Sequence, residues 1–284
     1  MLRFAPLLFV FLWSTGFIGA KFGLPYAEPL SFLLVRYLIV LALMLGLAWA
    51  MRAPWPKDHR QWLHIGVSGV LVHAIYLGGV FTAIKHGLPA GITALVVGIQ
   101  PLLTALLAGW LLRERVSRRQ WLGLALGLLG VALVLSGKLP ADVPPWPMLI
   151  PAIVALLGIT AGTLYQKRFC HHFDWRSGSV IQFFPTACVT ALAVLLSEDF
   201  VIVWHPDFIF ALGWLVLVLS LGAITLLNLL IARGSAVNVS SLFYLTPPTT
   251  ALIAWAAFGE TLNTVAVFGM AIAVTGVWLV ARGR

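Results

Sequence analysis

Ten apolar stretches, each close to 20 residues long, run through this chain, and the last five repeat the first five at a constant offset. A bilayer core takes about 20 apolar helical residues per crossing. The stretches fall at about 5–21, 30–50, 62–83, 88–111, 120–137, 147–165, 177–197, 208–231, 235–258 and 262–281. The polar breaks are sharpest at 51–61, 113–119 and 166–176, and weakest at 83–88 and 231–235. Composition points the same way. The chain is 61% apolar and 10% charged, where a soluble chain is about 25% charged, so it could not cover its own surface with polar groups. A soluble enzyme, a disordered chain and a nucleic-acid-binding domain are excluded. The net charge of +9 is the excess of Lys and Arg expected in cytoplasmic loops. Cys170 and Cys188 provide no disulfide framework. The expected fold is an all-α integral membrane protein of ten transmembrane helices, with the lipid bilayer as its main partner.

Orientation follows from the positive charges. With the N-terminus inside, fourteen Lys and Arg fall in cytoplasmic segments, and only Lys21, Lys85 and Lys138 fall outside. The bias supports both the count of ten and cytoplasmic termini, because losing one span would swap every later loop. The first span has the outline of a secretory signal, but nine further spans make a retained helix the expectation.

The repeat has an offset of 146 residues. Pro101 maps to Pro247, Glu114 to Glu260, Gly123 to Gly269 and Gly130 to Gly276. Columns 90–134 contain thirteen identities, among them Ala90, Thr104, Ala105 and Val131, against roughly four or five from apolar bias alone. Near the start, Gly16 maps to Gly162, Lys21 to Lys167, Glu28 to Asp174, Ser31 to Ser177 and Arg36 to Gln182, whereas the third and eighth spans match poorly. Five spans per copy is an odd number, so the second copy enters the membrane from the opposite side. The expected units are 1–138 and 147–284. Inverted repeats of this kind belong to secondary transporters, with the substrate site between the repeats near midplane.

With these residues on view, the chain resembles the drug/metabolite transporter superfamily, specifically its EamA-type exporters. The resemblance rests on Trp13-Ser14-Thr15, on Arg36 after Pro29, and on Pro101…Glu114…Gly123…Gly130 recurring as Pro247…Glu260…Gly269…Gly276. It covers the whole chain. It implies export of small metabolites, often amino acids, across the bacterial inner membrane. It also implies a central cavity lined by the first four helices of each half, with helices five and ten peripheral. Arg36 has no basic mate, so the two halves of the cavity should differ in charge.

The candidate substrate-binding residues are Trp13, Arg36, His73, Tyr76, Gln100, Gln182, Asn228 and Tyr244. A charge such as Arg36 within a span costs at least about 2.5–3.5 kcal/mol on insertion scales, so it should face a cavity or a partner. It is either a counter-ion for a substrate carboxylate, a side chain snorkelling to the interface, or a lock on helix ends. His73 and Tyr76 share a helical face with Gly69 and form either a cavity wall or an interhelical contact. His73 titrates near neutral pH, but no membrane-buried Asp or Glu accompanies it. Gln100 and Thr246 precede the paired prolines, and paired helix breaks in two halves point to a binding site, which also brings in Tyr244. Trp13 shares a face with Gly16 and Ala20 and could stack on a substrate. Gln182 and Asn228 are lone amides that serve as ligands or as helix–helix glue. Glu114 and Glu260 are expected to cap or pair at helix ends.

Three motifs are set aside. Gly66-Val67-Ser68-Gly69 matches a rhomboid-type protease motif, but His73 sits about 140° around the helix from Ser68, and a Ser nucleophile needs a base in reach. Cys170-His171-His172…Asp174 fits no zinc spacing. The run at 113–119 is a positive-inside turn suited to anionic lipid and not to nucleic acid. No phosphate loop suggests ATP. No metal, cofactor or catalytic residue is expected. The expected function is a secondary transporter that exports small metabolites, amino acids or related compounds, by alternating access. A passive channel or uniporter and a non-transporting scaffold are the alternatives. Small residues at Gly123, Gly127, Gly130, Gly269 and Gly276 suit close helix packing or a homodimer.

Overall fold

The structure is a computed structural model that describes residues 4–137, 146–170, 173–259 and 261–283. Arg3, Lys138, Asp142, His171, His172, Glu260 and Arg284 lie outside the described residues. The described chain is helical throughout apart from its connections. The helices are α1 (Ala5–Gly23), α2 (Pro29–Ala50), α3 (His59–Lys85), α4 (Ala90–Leu111), α5 (Arg118–Ser136), α6 (Trp146–Phe169), α7 (Trp175–Ser197), α8 (Pro206–Arg233), α9 (residues 236–258) and α10 (Thr264–Ala281). Each expected span corresponds to one of them. Eight have the length and hydropathy of a crossing. In α1 the described apolar run is Ala5–Gly16, and α9 is divided by a 3-10 turn at Leu242–Leu245. Large apolar side chains face outward, such as Trp49 (85% exposed), Trp110 (82%) and Leu195 (81%), as a lipid-facing surface requires.

Helix starts follow capping chemistry. Ser117 and Gln120 form a capping box at α5, and Asn263, the repeat mate of Ser117, caps α10 through the Ala266 N–H at 2.7 Å. Each such cap satisfies a backbone donor that the first turn leaves orphaned. Asp174 caps α7 through the Arg176 N–H. Its carboxylate also takes the Arg176 guanidinium at 2.9 and 2.7 Å, and these bonds hold it below the usual carboxylate range.

The two halves are related by an internal two-fold axis that inverts one on the other. Helices α5 and α10 make the most extensive helix–helix contact of the bundle. A Cβ on Gly123 would lie 2.6 Å from the Gly276 carbonyl oxygen, and one on Gly130 would lie 2.7 Å from that of Gly269. Numbering rises along one helix as it falls along the other, so the pair is antiparallel. The contacts also exchange under the offset of 146, since Gly123 is the mate of Gly269 and Gly130 of Gly276. Only glycine permits backbones this close. These four glycines are therefore used within the chain, and the fifth, Gly127, holds the ring of Tyr244. The axis passes between α2 and α7, where Tyr37 meets its own mate Phe183 at a ring separation of 5.7 Å.

The symmetry extends to places where sequence similarity fades. Helix α3 is π-helical over Val70–Leu77 and α8 over Leu215–Ala223, at matching positions of the two repeats. Such turns are rare and concentrate at functional sites. Helices α4 and α9 are likewise both interrupted, the former at Gly98-Ile99 and the latter at Leu242–Leu245. Both breaks lie just before the paired prolines, whose missing N–H and ring displace the preceding turn.

Each end of the bundle is tied across the two halves. At the expected outer end, Glu198 after α7 accepts from the Leu30 N–H (2.8 Å), the Ser31 N–H (2.7 Å) and the Ser31 hydroxyl (2.7 Å). Glu28 itself makes no side-chain cap at α2 and pairs with Lys85 at 3.3 Å. The Tyr26 ring stacks on His205 at 4.4 Å. At the expected cytoplasmic end, Ser177 donates to the Pro54 carbonyl at 2.6 Å, and within the second half Lys167 donates to the Ile231 carbonyl at 3.1 Å. Glu114 accepts from the Ala236 N–H at 3.1 Å and so caps α9.

Candidate functional site

Residues Arg36 and Tyr37 on α2 each reach one of the two π-helical segments. The Arg36 Nε donates to the Ser220 hydroxyl at 3.0 Å, and that hydroxyl donates to the Leu215 carbonyl at 3.1 Å within the π turn of α8. The Tyr37 hydroxyl donates to the His73 carbonyl at 2.8 Å in the π turn of α3. Arg36 is 1% exposed, and its Nη1 has no hydrogen-bond partner among the described residues. No carboxylate among the described residues pairs with it. Snorkelling is thereby set aside for this conformation. A guanidinium this deep with an idle donor is costly unless something else satisfies it.

Arg36 borders a cavity between α1, α2, α3 and α8 with about 480 Å³ of empty space, mouth included. Trp13 and Tyr76 form its inner wall, their rings 6.3 Å apart and within 12° of parallel. Gly16 and Ala20, on the Trp13 face of α1, line the same space. Across this aromatic partition lies a second cavity between α1, α3, α4 and α9, with about 350 Å³ of empty space, mouth included, bordered by Thr93, Phe243, Thr246 and Pro247. Phe243 meets Trp13 edge-on at 5.2 Å and Phe9 at 5.5 Å, which fixes the Trp13 ring in place.

The structure thus brings Trp13, Arg36 and Tyr76 to one cavity. It places the other five candidates elsewhere. His73 stacks on Phe183 at 4.5 Å beside Tyr37, and neither ring nitrogen has a partner among the described residues. Gln100 reaches Thr163 on α6 at 3.4 Å, whereas its mate Thr246 borders the second cavity. Tyr244 turns towards α5 and α10 and lies over Gly127, leaving its neighbour Phe243 on the cavity side. Gln182 and Asn228 belong to a directed amide chain joining four helices. Gln166 donates to Asn228 (2.9 Å), Asn228 to Gln182 (3.0 Å), Gln182 to Ser68 (3.2 Å) and Ser68 to the Ile65 carbonyl (2.7 Å). The Ser68 hydroxyl is engaged in that chain.

Sequence reasoning did not single out Ser220 or Phe243. Ser220 carries no sequence signal, because it matters only through the π turn that presents it to Arg36. Phe243 sat one residue from a named candidate, and the 3-10 turn decided which of the two faces inward.

The sequence profile of the EamA-like transporter family matches the chain twice, over residues 4–136 and 146–282. The chain belongs to the EamA-like transporter family. The two matches coincide with the two halves related by the internal axis. Among EamA-type relatives, the "Uncharacterized inner membrane transporter YedA" of Escherichia coli (strain K12) is 26% identical over 277 residues, covering 96% of this chain and 88% of that protein. A "Probable amino-acid metabolite efflux pump" of Salmonella typhimurium is 24% identical over 286 residues, covering 97% and 93%. A solved crystal structure matches with a TM-score of 0.79 at 21% identity, covering 97% of this chain and 94% of that one. It shares the fold. The chain is a membrane protein of a transporter family, and relatives of this length are named as inner membrane transporters and efflux pumps.

Proposed function

We propose that this chain is a secondary transporter that exports small carboxylate-bearing metabolites, amino acids or related compounds, across the inner membrane by alternating access, with both termini in the cytoplasm. The observation that carries the proposal is Arg36, a buried guanidinium whose Nη1 has no partner and which has no acid beside it among the described residues, at the edge of a cavity near the internal axis. A substrate carboxylate supplies the missing counter-ion through a charge-assisted pair. Trp13 and Tyr76 hold its apolar body. The second cavity, with Phe243 and Thr246, gives cargo a further space when the repeats move. Inverted repeats with broken helices at their interface suit rocking of one half against the other. The amino-acid element draws on the printed name of the Salmonella relative.

The test is counterflow in proteoliposomes preloaded with amino acids, sugar phosphates, nucleotide sugars or organic cations. Trans-stimulated uptake of a labelled carboxylate, abolished by Arg36→Ala in folded protein, is expected. Uptake without trans-stimulation indicates a passive channel instead, and undiminished uptake by Arg36→Ala removes Arg36 from the site.

A further inference from the structure

Among the described residues, Arg36 is the one formal charge lining its cavity; the other described lining residues are apolar or aromatic, and none is acidic. The described residues lining the neighbouring cavity include no charged one either. The seven acids among the described residues all lie in loops or within a turn of a helix end. The Ser220 hydroxyl spends its proton on Leu215 and accepts from Arg36.

We propose that the cargo is a net anion: a monocarboxylate with an apolar body and no free α-ammonium, of the 2-oxo acid, 2-hydroxy acid or N-acylated amino acid class. This rests on the preceding assignment of Arg36 as the carboxylate's partner. A carboxylate bonded to a guanidinium places an α-ammonium about 5–6 Å from the guanidinium carbon, given hydrogen bonds of ordinary length. Two like charges at that distance in partly dry surroundings cost on the order of a hundredfold in affinity. Sites that hold zwitterions offset such repulsion with an acid or with free carbonyls from an unwound helix. Here the serine beside Arg36 is already engaged, and no acid among the described residues is near. Water in the cavity mouth screens part of the repulsion, so a tenfold preference is the minimum expected.

The experiment measures binding to the purified full chain in lipid nanodiscs with two side-chain-matched series, on leucine and phenylalanine skeletons. Each series contains the 2-oxo acid, the N-acetyl amino acid, the free amino acid and the amino-acid amide. Anionic members of at least one series should bind at least tenfold more tightly than the free amino acid, and the amide should not bind. Arg36→Gln should shrink the difference below threefold. Arg36→Lys, which keeps the charge and loses the Nε bond to Ser220, should keep the order of preference and serves if Arg36→Gln fails to fold. A free amino acid that binds as tightly as its own anions, with Arg36 still required, overturns the net-anion proposal and leaves the carboxylate assignment standing. Folded protein that binds no carboxylate of either series overturns both.

Discussion

Replacing Glu198 with alanine should open the expected outer end of the cavity. The Glu198 carboxylate accepts three hydrogen bonds of 2.7–2.8 Å from the first turn of α2, and so ties the end of α7 to the start of its repeat mate. Removing a side-chain cap costs about 0.5–2 kcal/mol. Glu198 is half-buried, so water replaces part of what is lost. A loss of about 1–2 kcal/mol borne by the closed state alone shifts the ratio of open to closed by about 5- to 30-fold. Ile84, which lines the cavity near that end, serves as the reporter. In a chain with Cys170 and Cys188 replaced by serine, Ile84→Cys should react with a membrane-impermeant maleimide about 5- to 30-fold faster when Glu198→Ala is added. Glu198→Gln keeps one acceptor and should fall between. An unchanged or slower rate in folded protein would refute the account, because it would mean that the carboxylate caps α2 equally in every state.

Other expectations follow from the packing. Gly276→Ala places a Cβ 2.5 Å from the Gly123 carbonyl oxygen, and overpacking of this kind costs typically about 1–3 kcal/mol; its thermal midpoint in detergent should fall, while Gly46→Ala, with open space around it, should leave the midpoint unchanged. Asn228→Leu strands the Gln166 donor and the Gln182 acceptor, so it should cost about 1 kcal/mol of stability with no change in substrate preference, and an altered KM in transport assays would make Asn228 a ligand instead. Burial pushes the Cys170 thiol up to about 11. At pH 7.5 this lowers its thiolate fraction some 300-fold relative to a free thiol near 8.5, and the greater nucleophilicity of the more basic thiolate recovers about tenfold. Iodoacetamide should therefore modify Cys170 roughly 30-fold more slowly than glutathione, with the rate climbing steeply as pH rises towards 11.

The fold was legible because the forces that set it act on composition and periodicity. Lipid demands long apolar helices, and Pro101 with Pro247 marked both interrupted helices. The glycines at 123, 130, 269 and 276 marked the seam of α5 and α10. The site was legible only in part. Arg36, singled out by its depth in a span, and Trp13 and Tyr76, singled out by their helix faces, border one cavity. Which way Tyr244 or Phe243 turns depends on a 3-10 turn of four residues, and no periodicity rule resolves that. The π turns in α3 and α8 were invisible because the two helices share almost no residues at the offset. Their agreement in geometry belongs to the pairing of the halves, with α2 bonded to both turns.

That agreement makes the chemistry of the cavity more telling, because the scaffold is symmetric and the site is not. The mates of Trp13, Arg36, His73 and Tyr76 are Ile159, Gln182, Leu219 and Gly222. Every charged or aromatic group at those four positions comes from the first repeat, while the second supplies a buried amide, two apolar side chains and a gap. The one amide, Gln182, is fully engaged with Asn228 and Ser68. Two equivalent halves would place two guanidiniums near the axis, and their repulsion would demand two anions or one dianion. With a single Arg36, one carboxylate would neutralise the site. On the proposed assignment the groups that hold it sit on α1, α2 and α3, so cargo should move with the first repeat, while the second repeat supplies the surface that seals it.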